Sequence, residues 1–289
     1  MKRILTSLAL ILTTATASLY AQQQMASSSL GGFPPISGEG SVTSSRSLSE
    51  VTRNASPAPF SRVAIGGGVS SMGVNMQVAV IANRYMNLRG TGNFFNYSLS
   101  NVNVNGFNAS GKLNFATAGA SVDFYPFPNH GLRISPGAMF YNQNQLGATV
   151  VAPGGTSFTL DGYTYYSSQS NPVTGAGNVF LNKQSPAFTI TTGWGNMISR
   201  RGSHFSVPFE IGAAFIGAPS VNMALTSGQV CADPAGTIAC QNVVGNAQIN
   251  ANLQAQVAKY QNDVNPFKIY PIVSTGVAFS FGKSVNRAK

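Results

Sequence analysis

His130 and His204 are the only histidines in this chain of 289 residues. A hydrolase or acyltransferase needs such a base, or an acid pair, within reach of a nucleophile. Ser203 adjoins His204, but successive residues of a strand point to opposite faces, so the adjacency builds no nucleophile–base pair. No His-x-x-Glu-His or Cys-x-x-Cys spacing offers a metal site. The glycines of "GGG" and "GVSSMGVNMQ" suit turns and strand kinks better than a phosphate cradle. The sequence thus points to no catalytic, metal-binding or cofactor-binding residue, and no cofactor is expected. Cys231 and Cys240 are the whole cysteine content, set in "CADPAGTIAC" with Pro234 and Gly236 between them. In an exported chain two such cysteines are expected to pair. Metal binding is the lesser reading, since no second pair or nearby histidine completes a site.

Charge is the other chemistry available, and it depends on the elements that aim it. In "SHFSVPFEIGAAF", residues Phe205, Val207, Phe209, Ile211, Ala213 and Phe215 take every second position, with Glu210 among the small and polar residues between them. Period two means a strand. The same alternation recurs in Val74–Val80, Ala118–Phe124, Leu132–Phe140 and Phe188–Trp194, and in the closing "IYPIVSTGVAFSF". A soluble sandwich turns such apolar faces to its core, whereas a membrane barrel turns them to lipid and encloses the polar ones. The alternation by itself is common to both.

The beginning of the chain bears on that choice. "MKRILTSLALILTTATASLYAQQQ" has two bases, a short apolar run and small residues near Ala17 and Ala21. This is the pattern of a cleaved secretory signal peptide, and its apolar run is too short for a transmembrane helix. Residues 1–21 are therefore read as signal peptide. Residues 22–60, rich in serine, glycine and proline, are read as a disordered periplasmic arm that cannot bury enough surface to order itself. Residues 61–289 are read as the folded domain. Only 8% of residues are charged, and the net charge of +10 is scattered with no cluster larger than Arg200-Arg201, which argues against a nucleic-acid partner. No segment after the signal peptide is apolar for 18 residues, so helical membrane spans are excluded.

Connections between the strand runs alternate in length. "ANRYM", "YPFPNHG" and "GNMISRRGS" are tight, whereas the segments near Ser98–Ser110, Val151–Gly177 and Ser220–Asn265 are long. Short periplasmic turns and long outer loops give a barrel this rhythm. Adding strands near Arg62–Val69 and Met86–Tyr97 makes eight. The blocks "GKLNFATAGASVDFYPFPNHGLRISPGAMFYNQNQL", "GWGN", "FEIGAAFIGAPSVNM" and "FKIYPIVSTGVAFSF", in this order and spacing, resemble the small bacterial outer-membrane β-barrel proteins of the OmpA/OmpX-like superfamily, in a largely uncharacterised branch. The resemblance runs from about Arg62 to Phe281. It implies an outer-membrane location in contact with lipid and lipopolysaccharide, insertion by the barrel assembly machinery, and no assigned reaction. Such barrels usually end on an aromatic residue, whereas here "GKSVNRAK" follows Phe281.

The expected fold is all-β: a closed antiparallel transmembrane barrel of about eight strands, with long extracellular loops and one short loop helix in "NAQINANLQAQVAKYQNDV". Its Ile249, Leu253, Val257 and Tyr260 stripe is expected to pack on the barrel mouth. "TSFTLDGYTYYSS" reads as a hairpin. Tyr85, Phe124, Phe127 and Trp194 lie near tight turns, where an aromatic girdle would sit; in a sandwich they would be core. Asp123, Glu210 and Arg133 fall on the polar side of their strands, and by the same alternation Arg89 joins them. Charges facing lipid, or alone in a narrow lumen, are costly, so a mutual ion-pair cluster is expected to plug the barrel. The function implied is that of a non-enzymatic, monomeric outer-membrane protein acting structurally or through its loops, their extracellular ligand unknown. The alternatives are a lipid-modifying barrel enzyme, or a narrow channel if there are more strands.

Overall fold

The computed structural model describes residues 58–128, 130–181, 185–199 and 203–282. The signal peptide, the arm up to residue 57, Arg200-Arg201 and the tail from residue 283 lie outside the described residues.

Strands β1 (Arg62–Ser70), β2 (Gly73–Asn83), β3 (Met86–Val104), β4 (Phe107–Phe124) and β5 (Leu132–Asn142) follow one another as antiparallel hairpins. Next come β6 (Gln145–Ala152), β7 (Ser157–Leu160), β8 (Tyr163–Ser167), β9 (Val173–Phe180) and β10 (Ala187–Trp194). The chain continues through β11 (Phe205–Ser206), β12 (Phe209–Phe215), β13 (Ser220–Ser227), β14 (Gln229–Cys231) and β15 (Gln241–Asn242), then helix α1 (Ala247–Val264) and β16 (Ile269–Gly282). Eight of the strands close on themselves: β1 pairs with β16, β16 with β12, β12 with β10, β10 with β5 and β5 with β4. A closed ring leaves no row of unpaired backbone groups along its wall.

The ring is apolar outside and polar within. Ile65, Val74, Met76, Val78, Ile134, Phe188, Ile190, Phe209, Ile211, Val273 and Val277 are exposed on its outer face, while Asn75, Gln77, Arg89, Asp123, Arg133, Thr191, Glu210 and Ser274 are buried inside. Outward apolar residues belong to a sheet facing lipid, not to one facing water. Small inward residues make room for the long ones. A Cβ on Gly193 would run into the carbonyl of Phe209, and one on Gly212 into that of Ile190.

Strands β3 and β4 rise beyond the ring, and their polarity inverts there. Below, Leu88, Phe94 and Phe124 face out while Arg89 and Asp123 face in. Above, the rungs pair Phe95 with Phe115 and Tyr97 with Leu113 on the row that continues the inward one, although Phe95 and Tyr97 are themselves exposed, and Asn96 with Asn114 and Ser98 with Lys112 on the row that continues the outward one. β6 pairs with this upper half of β4, β9 with β6 and β13 with β9. A second sheet, in the order β15-β14-β8-β7, lies with α1 over a separate core of Ala152, Leu160, Val173, Val230, Val243, Ile249 and Leu253.

Several expectations are corrected here. The segments expected as long loops are largely ordered: the Ser98–Ser110 stretch is the tip of the β3–β4 hairpin, and the other two carry strands and α1. Glycine-bearing runs such as "VTGAGNVF" in β9 lack the large alternating residues by which a strand announces itself. The helix is not short but 18 residues long, and its Ile249, Leu253 and Val257 pack into the upper core with Phe158 and Tyr165 instead of on the ring. Asn246 caps it, its side chain accepting from the Ile249 N–H at 3.1 Å. The strand expected from Ser203 to Phe215 breaks at Val207-Pro208 into β11 and β12, because proline has no N–H for the ladder. β3 extends past the expected Tyr97 to Val104. The expected hairpin is β7–β8.

Cys231 and Cys240 form a disulfide. Within its loop the Ile238 N–H donates to Asp233 Oδ1 at 2.6 Å and the Thr237 N–H at 2.9 Å, and the Ile238 bond in particular holds this carboxyl below the usual aspartate range. Its hold on the loop is present above the ordinary aspartate pKa and fades as the pH falls through the lowered one. Replacing both cysteines by alanine should cost the loop at most about 2.5–3 kcal/mol of closure entropy. Proteolysis within residues 229–242 should then quicken while the ring stays intact; loss of the ring itself would show that the upper sheet and the ring do not unfold independently.

Candidate functional site

The inward face of the ring concentrates nearly all of the buried charge. Asp123 on β4, Arg89 on β3, Arg133 on β5 and Glu210 on β12 come together in the lumen, each at most 5% exposed. Arg89 is the hub. Its Nε donates to Asp123 Oδ1 at 3.0 Å, and its Nη1 and Nη2 grip Glu210 Oε2 and Oε1 at 2.6 and 3.0 Å. Such a two-pronged grip is the strong form of an arginine–carboxylate pair. Arg133 Nη2 donates to Glu210 Oε2 at 2.9 Å, and its Nη1 to the Gly195 carbonyl at 2.7 Å. Thr191 donates to Glu210 Oε1 as well, and Gln77 Oε1 accepts from Arg89 Nη1 at 3.3 Å. Gly193 is the ladder partner of both Arg133 and Glu210, so the absence of a side chain there opens the space across which the two meet.

Two arginines and two carboxylates leave the cluster neutral, and apolar residues bound the lumen beyond it in both directions. Toward the end where β1 begins and β16 finishes, Met197 and Ile198 from the β10–β11 connection are buried against Ala64, Ala79, Ile81 and Ala278. Arg62 closes that end further, donating to the Ser199 carbonyl at 2.5 Å and to Ser280 Oγ at 3.2 Å. Toward the other end, Met72, Met139, Ala187, Ala214 and Ile216 pack together. Between that group and the cluster lies a cavity of about 70 Å³ lined by Asn75, Gln77, Asn93, Thr117 and Ser274 among others, room for roughly five waters.

Tyr85, Phe124, Phe127 and Trp194 are all exposed near one end of the ring. Phe124 is the ladder partner of Met86 and Ile134, and Trp194 of Leu132 and Phe209. His204 stacks on Phe279 at 5.7 Å and its Nδ1 lies 2.8 Å from the Ser280 carbonyl, while His130 meets Phe127 edge-on. Among the described residues neither is ion-paired with a carboxylate. Among the described residues no group of three His, Cys, Asp or Glu could hold a metal ion. Sequence reasoning missed Thr191, Gln77 and the Gly195 carbonyl as cluster partners, and Met197 and Ile198 as a plug. The one available signal was two large apolar residues inside an otherwise polar turn.

An eight-strand ring with this polarity is the architecture of bacterial outer-membrane β-barrel proteins, and solved structures that share it belong to that class. CarO2 of Acinetobacter baumannii aligns with a TM-score of 0.51 and 23% identity over 78% of this chain and all of its own length. CarO of the same organism aligns with a TM-score of 0.50 and 21% identity over 78% of this chain and 98% of its own. At such identities the likeness concerns the fold alone. No protein-family model matches the chain, and no curated protein sequence matches it.

Arg133→Leu should destabilise the folded protein by about 3–5 kcal/mol, because it strands part of the Glu210 charge in a buried site. Urea unfolding monitored by tryptophan fluorescence measures this. The double replacement Arg133→Leu, Glu210→Gln should recover part of the loss, and a neutral single variant would mean that the pair contributes no net stability.

Proposed function

We propose that this protein is a non-enzymatic integral outer-membrane β-barrel whose lumen is stoppered by the Arg89–Asp123–Arg133–Glu210 cluster, and that it acts structurally or through surface contacts made by the upper sheets and α1. One observation carries the reading. Along β3 and β4 the outward row changes from Leu88 and Phe94 to Asn96 and Ser98, while the inward row changes from Arg89 and Asn93 to Phe95 and Tyr97. A wall in one solvent throughout has no reason to invert; a wall leaving lipid for water does. The exposed aromatics Tyr85, Phe124, Phe127 and Trp194 then form the girdle at the inner interface. The upper sheets, fed by the connections at the opposite end of the ring, stand on the outer side, in contact with lipopolysaccharide. Export by a cleaved signal peptide, an arm in the periplasm and insertion by the barrel assembly machinery complete this reading, with the protein a monomer.

The lumen argues for a stopper over a pore, since eight strands enclose a space that side chains fill and this space holds salt bridges flanked by apolar groups. With no carboxylate ion-paired to them among the described residues, the histidines give no support to a general-base constellation for lipid chemistry. Purified protein should therefore sediment with outer membranes, migrate differently with and without heating in detergent, and give no steady conductance in planar bilayers. Recovery in the soluble periplasm would overturn the membrane reading, steady ohmic channels the stoppered lumen, and an altered lipid composition on expression the non-enzymatic role.

A further inference from the structure

The lumen cluster has four charged corners and only three direct sides. Asp123 meets Arg89, Arg89 meets Glu210, and Glu210 meets Arg133. The fourth side, between Arg133 and Asp123, has no direct contact, and these two corners each keep one polar atom without a partner among the described residues: Arg133 Nε and Asp123 Oδ2 are both buried without a hydrogen-bond partner. These are the residues that the ladder places together. β4 and β5 pair Ser121 with Gly137 and Phe124 with Ile134, a register that sets Asp123 opposite Ser135 and leaves Arg133 on its diagonal. Ser121 Oγ and Ser135 Oγ, on the same inward faces, are buried and unpartnered too. Four such atoms on two adjacent strands form a built site, because an orphaned buried polar group is destabilising, and a charged one more so.

The chemistry selects the occupant. A cation would satisfy Asp123 Oδ2 and the two hydroxyls, but would face the Arg133 guanidinium. An anion would accept from Arg133 Nε, but would face the Asp123 carboxylate. A species that must donate to a carboxylate and accept from a guanidinium at once, at a neutral cluster, is water. We infer that a buried water bridges Arg133 Nε–H and Asp123 Oδ2, steadied by the hydroxyls of Ser121 and Ser135, and closes the four charges into a ring in which every positive corner lies between two negative ones. Of the four groups only Ser121 also lines the larger cavity.

The test uses the unaltered, detergent-solubilised protein, crystallised at a resolution that reveals ordered water, with parallel soaks in rubidium and in bromide. The expected result is a solvent peak within hydrogen-bond distance of both Arg133 Nε and Asp123 Oδ2, with no anomalous signal from either ion there. An anomalous peak at that position, a direct Arg133–Asp123 contact, or an empty gap between them would each overturn the inference. In the Ser135→Ala variant, which keeps both charged corners, the peak should persist at lower occupancy; unchanged occupancy would remove Ser135 from the site.

Discussion

The grip of Arg89 on Glu210, two N–H groups on two carboxylate oxygens, is the contact around which the rest of the ring is arranged. β3 and β12 are not neighbours in the sheet; they face one another across the lumen. In a closed ring the strand number and register set the diameter, and a bond of this kind ties two opposite walls together across it. Every other member of the cluster then serves to satisfy what that bond leaves over. Asp123 accepts from the remaining Arg89 N–H, Arg133 and Thr191 supply further donors to Glu210, and Gln77 accepts from Arg89. Buried charge is tolerable only when paired and hydrogen-bonded to this extent.

The same constraint explains the glycines. Two arginines occupy a lumen only eight strands wide, which requires inward neighbours without side chains, and Gly193 and Gly212 sit where a Cβ would meet backbone. Beyond the charges lie buried apolar groups: Met197 and Ile198 toward one end, Met72 and Ile216 toward the other. Low polarity around the cluster strengthens its attractions and makes any vacancy in it more costly. The upper half of the molecule has a core of its own beneath α1, built from residues such as Leu160, Val230, Val243, Ile249 and Leu253, while Tyr97, Leu99, Tyr163 and Val244 stay exposed.

How much of this was legible depends on where the physical signal resides. Period-two alternation fixes the face of a side chain regardless of partner, so Asp123, Glu210, Arg133 and Arg89 could be assigned to one enclosed face from sequence. The ring strands could be assigned too, because their outward residues are large. Which corner meets which depends on strand register across the lumen, and in "GNMISRRGS" two large apolar residues in a polar turn are the one local sign that Met197 and Ile198 fold back inside. The upper sheet was read as loops because β6, β9 and β13 carry glycine, alanine and threonine where the ring carries phenylalanine and isoleucine. The helix and the β7–β8 hairpin were both visible through their spacing, yet that the one docks on the other was not, since contact between distant segments leaves no local signal.

The inversion of polarity along β3 and β4 is the claim on which the proposed membrane location rests. Single nitroxide labels placed in turn along residues 88–100 of the protein in lipid vesicles, scored for contact with dissolved oxygen and with a water-soluble nickel chelate, test it directly. The account predicts oxygen contact at the outward positions 88, 90, 92 and 94, changing to nickel contact at the outward positions 96, 98 and 100. Nickel contact at the outward positions along the entire strand, or oxygen contact continuing through residue 100, would contradict it.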